Sequence, residues 1–324
     1  MAAHNNEGSK ATHYDIRELS AVDPDFAPAL RRVFNLDPAV PSDLVLDRFM
    51  GQRRRTPCAD APPDFLLGAY CEGCLVSACL TWTSPGAAAM VMIPSRMRHT
   101  QERFVLSQLL RTVQERAWKQ GIMVLEVLVE ADSPDPEASL READFRYLTR
   151  LMYFRRPIVA ADREQAVSPG IEWVSYTPEV EPLFTATLDQ TYTQSMDCPE
   201  LTGIRTTAQV LAGHRAVGVF DPALWWIAKR EGQPVGLILL NRCVHDPLLE
   251  VVYVGVVCSA RGTGVADALL SRAVGAASRV NVRDVALAVD GRNTPARRLY
   301  GRWGFVQTGE RGAWIACAPR VHRD

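Results

Sequence analysis

A phosphate-binding loop is the clearest chemical feature of the sequence. A β-branched run, Glu250–Val257, precedes a short loop with Gly262 and Gly264, and the alanine- and leucine-rich residues that follow predict a helix. The first N–H groups of a helix have no intrahelical partner and carry the positive end of its dipole. Glycines let a phosphate approach those groups without a Cβ atom in the way. With Arg261 adding a positive charge, the pattern predicts a site for an anion of pyrophosphate size.

Spacing separates this loop from two other kinds of phosphate-binding loop. A P-loop requires Gly-x-x-x-x-Gly-Lys-Ser/Thr, which does not occur here. A dinucleotide-binding loop requires Gly-x-Gly-x-x-Gly, but the third glycine is replaced by Asp267, whose carboxylate would lie near the phosphates. Asp284 has the spacing of a ribose-binding acid, yet fewer than sixty residues follow the loop, too few to complete a nucleotide-binding sheet. Both alternatives are therefore disfavoured.

Two segments together resemble the GCN5-related N-acetyltransferase (GNAT) superfamily. Residues 261–266, Arg-Gly-Thr-Gly-Val-Ala, resemble its Arg/Gln-x-x-Gly-x-Gly/Ala motif, which cradles the pyrophosphate of coenzyme A. Residues 293–305, Asn-Thr-Pro-Ala-Arg-Arg-Leu-Tyr-Gly-Arg-Trp-Gly-Phe, resemble its closing Asn-x-x-Ala-x-x-Leu-Tyr-x-x-x-Gly-Phe segment. The resemblance covers about residues 171–317.

The resemblance implies a role for each matching position. The strand end near Val254 and Val256 would pair with the pantetheine arm of acetyl-CoA and offer an N–H group to the thioester carbonyl. Asn293 would contact the cofactor arm, and Tyr300 would protonate the departing thiolate as general acid. The pyrophosphate would be held by the loop residues, namely Arg261, Gly262, Thr263, Gly264, Val265 and Ala266.

Two of these residues also have simpler structural explanations. Tyr300 lies at helical spacing from Ala296 and Arg297, so it would also suit core packing. Asn293 precedes a predicted helix and would serve as its cap, a role compatible with contact to a ligand.

Glu250 is the first candidate for a general base that takes a proton from an amine substrate. It opens the predicted central strand, and strand alternation places it on the same face as Val252 and Val254. An ordinary charge at a strand end is the alternative explanation, and a water relay would need no single base. His214, His245 and Asp246 are further candidates, of which the last two lie in a polar loop.

The polar and acidic segment Thr191–Glu200 is a candidate lining of the acceptor pocket, which the family usually builds in this region, although the same composition is normal for a loop. Cys258 has no evident histidine partner, which disfavours a thiol intermediate.

The surrounding elements predict a mixed α+β fold built from two tandem GNAT-like domains, residues 1–160 and 165–324. Each would be a mixed, mostly antiparallel sheet flanked by helices. The polar segment 159–170 is the predicted linker. In the second half we expect strands at 171–176, 225–229, 235–240, 250–257, 284–289, 305–308 and 313–316. We expect helices at 179–194, 265–278 and 294–303. The first half repeats this order more faintly, with strands at 65–70, 75–83, 88–93 and 122–129 and a helix at 102–120, followed by segments at 140–143 and 145–154.

The first half lacks the glycine loop. Residues 94–103 contain no glycine, and Asp144-Phe145 replaces the closing Gly-Phe. We therefore interpret this half as a degenerate domain without ordinary cofactor binding. Its basic residues would still suit an anion, namely Arg96, Arg98, His99 and Arg103.

Composition excludes several classes of function. A net charge of −1, from 36 basic and 37 acidic residues, gives no overall field that attracts nucleic acid or a membrane. The N-terminus lacks the apolar core of a secretory signal, so we expect a cytoplasmic protein. The eight cysteines are typical of free thiols in a reducing compartment. Cys71 and Cys74 flank Glu-Gly, which predicts a hairpin turn rather than a metal site.

These observations predict an N-acetyltransferase that transfers acetyl from acetyl-CoA to a primary amine by direct attack, with no metal. The acceptor would be a small molecule or a peptide, and the oligomeric state is left open. The tandem arrangement also resembles mycothiol synthase, a small-molecule acetyltransferase. A non-catalytic acyl-CoA-binding or regulatory module and a transferase of longer acyl chains are the alternatives.

Overall fold

The computed structural model describes residues 14–37, 39–45, 61–95, 97, 100–130, 135–164, 170–280 and 282–319. The first half contains strands β1 (Asp15–Leu19), β2 (Phe65–Cys71), β3 (Cys74–Ser84), β4 (Ala88–Met92), β5 (Val124–Glu130) and β6 (Arg146–Pro157), with helices α1 (Phe26–Val33), α2 (Thr100–Lys119) and α3 (Asp135–Glu142). The second half contains β7 (Glu172–Ser175), β8 (Val219–Arg230), β9 (Gln233–Arg242), β10 (Leu248–Val256), β11 (Asp284–Asp290) and β12 (Val306–Cys317), with α4 (Glu181–Tyr192), α5 (Thr207–Ala216), α6 (Val265–Ala277) and α7 (Thr294–Arg302).

The described strands form one sheet in the order β1-β2-β3-β4-β5-β12-β6-β11-β10-β9-β8-β7. Neighbours are antiparallel except for two parallel pairs, β4 with β5 and β10 with β11. The predicted mixed, mostly antiparallel fold is thus confirmed. Each half supplies one parallel pair, as expected of a duplicated unit.

The two halves exchange their last strands, β6 and β12, within the sheet. β12, from the second half, lies between β5 and β6, whereas β6, from the first half, pairs with β11. Each half therefore completes its sheet with a strand from the other half. The boundary between residues 160 and 165 stays a prediction.

The segment predicted as a linker begins in an ordered turn. Ala160–Glu164 form a 3₁₀ helix, and the buried carboxylate of Asp162 accepts two hydrogen bonds from Arg156, at 2.7 and 2.8 Å. Residues 165–169 of the predicted linker, like Arg96, Arg98 and His99, lie outside the described residues.

Helices cover both faces of the sheet and bury its apolar residues. On one face, called the α6 face, α6 and α7 pack on Val285, Leu287 and Val289 of β11. On the opposite face, called the α4 face, α4 and α5 pack on Trp225 and Ile227 of β8. In the first half, α2 and α1 cover separate apolar clusters. None of the helices in the described part of the chain is long and apolar enough to cross a membrane.

The β2–β3 turn agrees with the sequence prediction, whereas the last strand differs from it. Glu72 and Gly73, with φ of 49° and 79°, form the turn of the β2–β3 hairpin, as predicted between Cys71 and Cys74. The two strands predicted at 305–308 and 313–316 are wrong, because Val306–Cys317 is one strand. Two bulges in its pairing with β6, after Gln307 and after Ala313, accommodate the glycine-containing residues between them.

Candidate functional site

A cavity opens where the two parallel strands of the second half separate. β10 and β11 are paired from Leu248–Asp284 to Val251–Leu287, and their pairing ends there. β10 also has a bulge between Val251 and Tyr253 in its pairing with β9. The separated strand ends enclose a cavity of about 230 Å³, lined by Tyr253, Val254, Val256, Arg261, Asn293 and Tyr300 among others.

The glycine loop directly follows Arg261, which lines this cavity. Gly262 and Gly264 adopt left-handed conformations, with φ of 76° and 84°, and Gly264 immediately precedes α6. A Cβ atom built on either glycine would meet nothing within 4 Å, so the space in front of the loop is open. The first N–H groups of α6, from Val265 onward, lack intrahelical partners by helix geometry. The loop therefore has open space in front of these N–H groups, and anion binding there stays a prediction.

The side chain of Arg261 does not face the loop. Its guanidinium donates hydrogen bonds to the carbonyls of Thr191, Thr193 and Gln194, at 3.0, 2.7 and 2.8 Å, and so stabilises the C-terminal end of α4. The expected positive charge comes instead from Arg230 at the end of β8, which donates to the Thr263 hydroxyl at 3.0 Å. Sequence spacing gave no signal for Arg230, because the two residues are brought together by the sheet.

Asp267, which would have repelled a phosphate, is held away from the loop. Its carboxylate accepts a hydrogen bond from the Trp303 indole at 2.9 Å and lies 3.5 Å from Arg302. Both partners are at the end of α7, so the acid contacts that helix.

Asn293 and Tyr300 both line the cavity. Asn293 caps α7, its Oδ1 accepting the N–H of Ala296 at 3.3 Å. Tyr300 is 5% exposed and packs between Phe154 and Phe305, with ring centroids 6.3 and 5.9 Å away. Burial raises the pKa of Tyr300 above its usual value of 10.0, so the phenol keeps its proton and can donate it.

Glu250 lines a second, larger space next to the cavity. This groove, of about 780 Å³, is bordered by Glu250, Ala286 and Tyr153, and Leu287 lines both the groove and the cavity. Burial raises the pKa of Glu250. The prediction that Val254 lies on the same face of the strand as Glu250 is wrong, because Val254 packs toward α6. The bulge after Val251 reverses the alternation of side chains between the two faces of β10.

The other base candidates are less well placed. His214 is packed beside Tyr253, with centroids 5.3 Å apart, and burial lowers the pKa of His214 to about 4. It is therefore neutral at neutral pH. His245 and Asp246 are exposed in the turn between β9 and β10.

The predicted acceptor segment is attached to the end of β11. Asp197 lines the cavity, and its carboxylate accepts the N–H of Asp290 at 3.1 Å. The Asp290 carboxylate in turn accepts the N–H of Cys198 at 3.1 Å and the hydroxyl of Thr149, on β6, at 2.6 Å. Arg292 pairs with Asp290 at 2.7 Å. Asp290 thus fixes the segment relative to both halves.

Replacing Asp290 with asparagine should destabilise the protein. Burial alone would raise the pKa of Asp290, but hydrogen bonds from Arg292, Thr149 and two N–H groups outweigh it and lower the pKa from 3.8 to about 2. A depressed pKa stabilises the fold above the unfolded value and ceases to do so as the pH falls toward 2. We expect Asp290→Asn to lower the free energy of unfolding by about 2 kcal/mol at pH 7 in urea titrations. The difference should shrink between pH 4 and pH 2, and the exposed control Asp246→Asn should show no such loss.

The first half has an equivalent separation of strands but a different lining. β4 and β5 are paired from Ala88–Val124 to Met90–Glu126. A cavity of about 850 Å³ lies near the ends of these strands. Arg31 there donates to the Val40 carbonyl at 2.7 Å, and Arg32 donates to the Leu75 carbonyl at 3.0 Å. Anion binding in this half stays a prediction.

Comparisons with known proteins agree with this geometry. Residues 190–305 match the model of the Acetyltransferase (GNAT) family. The mycothiol acetyltransferase of Thermomonospora curvata is 31% identical over 232 residues, covering 68% of this chain and 71% of that protein. The mycothiol acetyltransferase of Streptomyces griseus is 27% identical over 221 residues, covering 68% of each chain.

Solved structures share the fold over most of the chain. A GCN5-related N-acetyltransferase from Sphaerobacter thermophilus has a TM-score of 0.59 at 19% identity, covering 95% of this chain and 97% of its own. A tandem GNAT protein from the clavulanic acid biosynthesis pathway has a TM-score of 0.54 at 15% identity, covering 95% of this chain and 100% of its own.

Proposed function

Because the chain belongs to the GNAT family of acetyltransferases, we propose that it transfers the acetyl group of acetyl-CoA to the primary amine of a small polar molecule or peptide, by direct attack. The observation that carries this proposal is the cavity between β10 and β11, whose lining extends from Arg261, next to the open glycine loop, to Tyr300. A family member that only bound acyl-CoA would need the loop for the pyrophosphate but would not need a phenol at the other end of the cavity.

The cavity suits an extended pantetheine arm. β10 pairs with β9 along one edge from Tyr253 to Val256, so its other edge faces the cavity beyond Val251. Backbone groups of Val254 and Val256 on that edge would bind the amides of the arm, and one N–H would stabilise negative charge on the thioester oxygen. The N–H groups of residues 262–266 would hold the pyrophosphate.

The residues on either side of the cavity suit the proton transfers of acetyl transfer. Acetyl-CoA supplies an acyl thioester, whose C–S bond breaks as a C–N bond forms. Glu250 would take one proton from the ammonium group to free its lone pair, and Tyr300 would give its proton to the departing sulfur. The nitrogen loses a second proton on becoming an amide, which restores the phenol through solvent. One proton is therefore released for each turnover.

The groove beside Glu250 supports an amine acceptor of small-molecule size. Carboxylates of Glu130, Glu250 and Glu310 border it, together with Arg311 and with Arg155, which is paired with Asp284. The excess of carboxylates favours a cationic group. The two curated relatives are named mycothiol acetyltransferases, which supports a small molecule over a protein.

Acetylation of a panel of amines tests the proposal. The purified protein would be incubated with acetyl-CoA and glucosamine, a thiol-free dipeptide or a lysine peptide, and release of coenzyme A would be followed with a thiol reagent. We expect at least one amine to be acetylated, with the product identified by mass spectrometry. Binding of acetyl-CoA with no amine acetylated would favour an acyl-CoA-binding module. No measurable affinity for coenzyme A would remove the basis of the proposal.

Substitution of Gly262 tests the loop. Gly262→Ala would place a Cβ atom in the space in front of the loop and strain a left-handed conformation, at a cost of about 1 kcal/mol. We expect the Kd for coenzyme A, measured by calorimetry, to rise about tenfold or more. The matched control is Gly232→Ala, in the β8–β9 turn, where φ is also 76° and the Cβ atom also meets nothing within 4 Å. It imposes the same strain and should leave the Kd unchanged.

A further inference from the structure

The exchanged strand β6 brings residues of the first half next to the groove that contains Glu250. In the sheet, Glu250 of β10 is in register with Ala286 of β11, and Ala286 is in register with Arg155 of β6. Two residues further along these strands, Tyr153 of β6 is in register with Ala288 of β11. Residues from both halves therefore lie side by side across three neighbouring strands.

These residues share the α4 face of the sheet. Val285, Leu287 and Val289 of β11 pack toward α6, so Ala286 and Ala288, which alternate with them, point the other way. Met152 and Phe154 of β6 also pack toward α6, which places Tyr153 on the α4 face by the same alternation.

Two alanines between larger residues leave a trough in this face. Ala286 and Ala288 carry only methyl groups, while Glu250 stands on one side of them and Tyr153 on the other. Ala286 borders the groove and Ala288 lines the cavity, so the trough leads from the groove to the point where β10 and β11 separate. An acceptor lying in it would pass between the carboxylate and the phenol before reaching the thioester.

The phenol of Tyr153 is suited to hydrogen bonding in this position. The side chain is half-buried, and burial raises the pKa of Tyr153, so the hydroxyl stays protonated. Arg155, the other polar side chain of β6 that borders the groove, is already bound to Asp284 at 2.7 Å. Tyr153 is thus the residue of β6 placed to contact an acceptor.

We propose that Tyr153, supplied by the first half, binds the acceptor across the alanine trough from Glu250 and orients its amine. The inference rests on the proposed function and narrows the acceptor class. A groove of about 780 Å³ whose far end carries Glu130, Glu310 and Arg311 suits an amine with several polar groups, such as an amino sugar or a dipeptide, better than a short alkylamine. The acceptor site is incomplete without the strand from the first half.

Steady-state kinetics of Tyr153→Phe test the proposal, with the amine of the panel that reacts fastest. Removing one hydrogen bond to the acceptor should raise its KM about five- to tenfold, with the KM of acetyl-CoA and the melting temperature unchanged. The matched control is Tyr147→Phe on the same strand, where the tyrosine is 46% exposed and packs on Trp314. It should leave both KM values unchanged.

A second variant fills the trough itself. Ala286→Val introduces a residue that favours strands and adds two methyl groups beside Glu250. The acceptor KM should rise at least tenfold, and the Kd for coenzyme A should stay the same. If an amine is acetylated but neither variant changes the acceptor KM by more than twofold, the proposed role of Tyr153 and the trough is wrong and the proposed function stands. If the unmodified protein acetylates no amine, the proposed function fails and this inference fails with it.

Discussion

Tyr300→Phe should lower kcat by about 100-fold or more while leaving the KM of acetyl-CoA within about twofold. The substitution removes only the hydroxyl, so the packing of the ring against Phe154 and Phe305 is retained. Without a phenolic proton, the sulfur must leave as a thiolate or take a proton from water, and both routes raise the barrier of the chemical step. Initial rates at saturating acetyl-CoA and amine measure the effect.

Tyr192→Phe provides the matched control for this experiment. Tyr192 is half-buried and packs edge-on against Tyr253, with centroids 5.8 Å apart, so the same atom is removed from a packed tyrosine of the same half. Its kcat should stay within about threefold of the unmodified protein. Unchanged turnover in Tyr300→Phe would instead make Tyr300 a core residue and leave the general acid unassigned.

Glu250→Gln should lower kcat/KM for the amine by about 100-fold near neutral pH and remove the acidic limb of the pH profile. A general base acts only when ionised, and burial raises the pKa of Glu250 above its usual value of 4.5. The unmodified protein should therefore lose activity as the pH falls through that raised pKa. The profile of kcat/KM from pH 4 to pH 9, measured for both proteins, tests for this limb.

Stability separates this catalytic role from a structural one. A carboxyl whose pKa is raised by folding destabilises the fold once the pH exceeds the unfolded value, because its charged form is buried at a cost. Glu250→Gln removes that cost, so the melting temperature at pH 7 should be equal or higher. Glu172→Gln, on the exposed edge strand β7, should change neither activity nor stability. A variant of Glu250 that keeps full activity would point to a water relay.

Local features of the site were predictable from the sequence because they depend on residues close together in the chain. The glycine loop at 262–264 and the capping residue Asn293 are set by backbone conformation and helix ends, which short motifs encode. The position of Tyr300 follows from the helical spacing after that cap. These predictions needed no knowledge of how the strands pair.

Features that depend on strand pairing were not predictable in this way. The contact of Arg230 with Thr263 joins residues 33 positions apart, and the role of Arg261 at the end of α4 spans about 70. The bulge in β10 reverses the face of Val254 without a glycine or proline to mark it. Tyr153 belongs to a half that lacks the motif, so no spacing connects it with Glu250.

The crossed placement of β6 and β12 gives the molecule the architecture of a homodimer that swaps its final strands and has been fused end to end. In such a dimer both sites are equivalent, and each needs a strand from its partner. After fusion, one site suffices for turnover, and the other copy is free to diverge as long as it still delivers its final strand. A first half without a glycine loop that still supplies β6 to the other half fits such an origin.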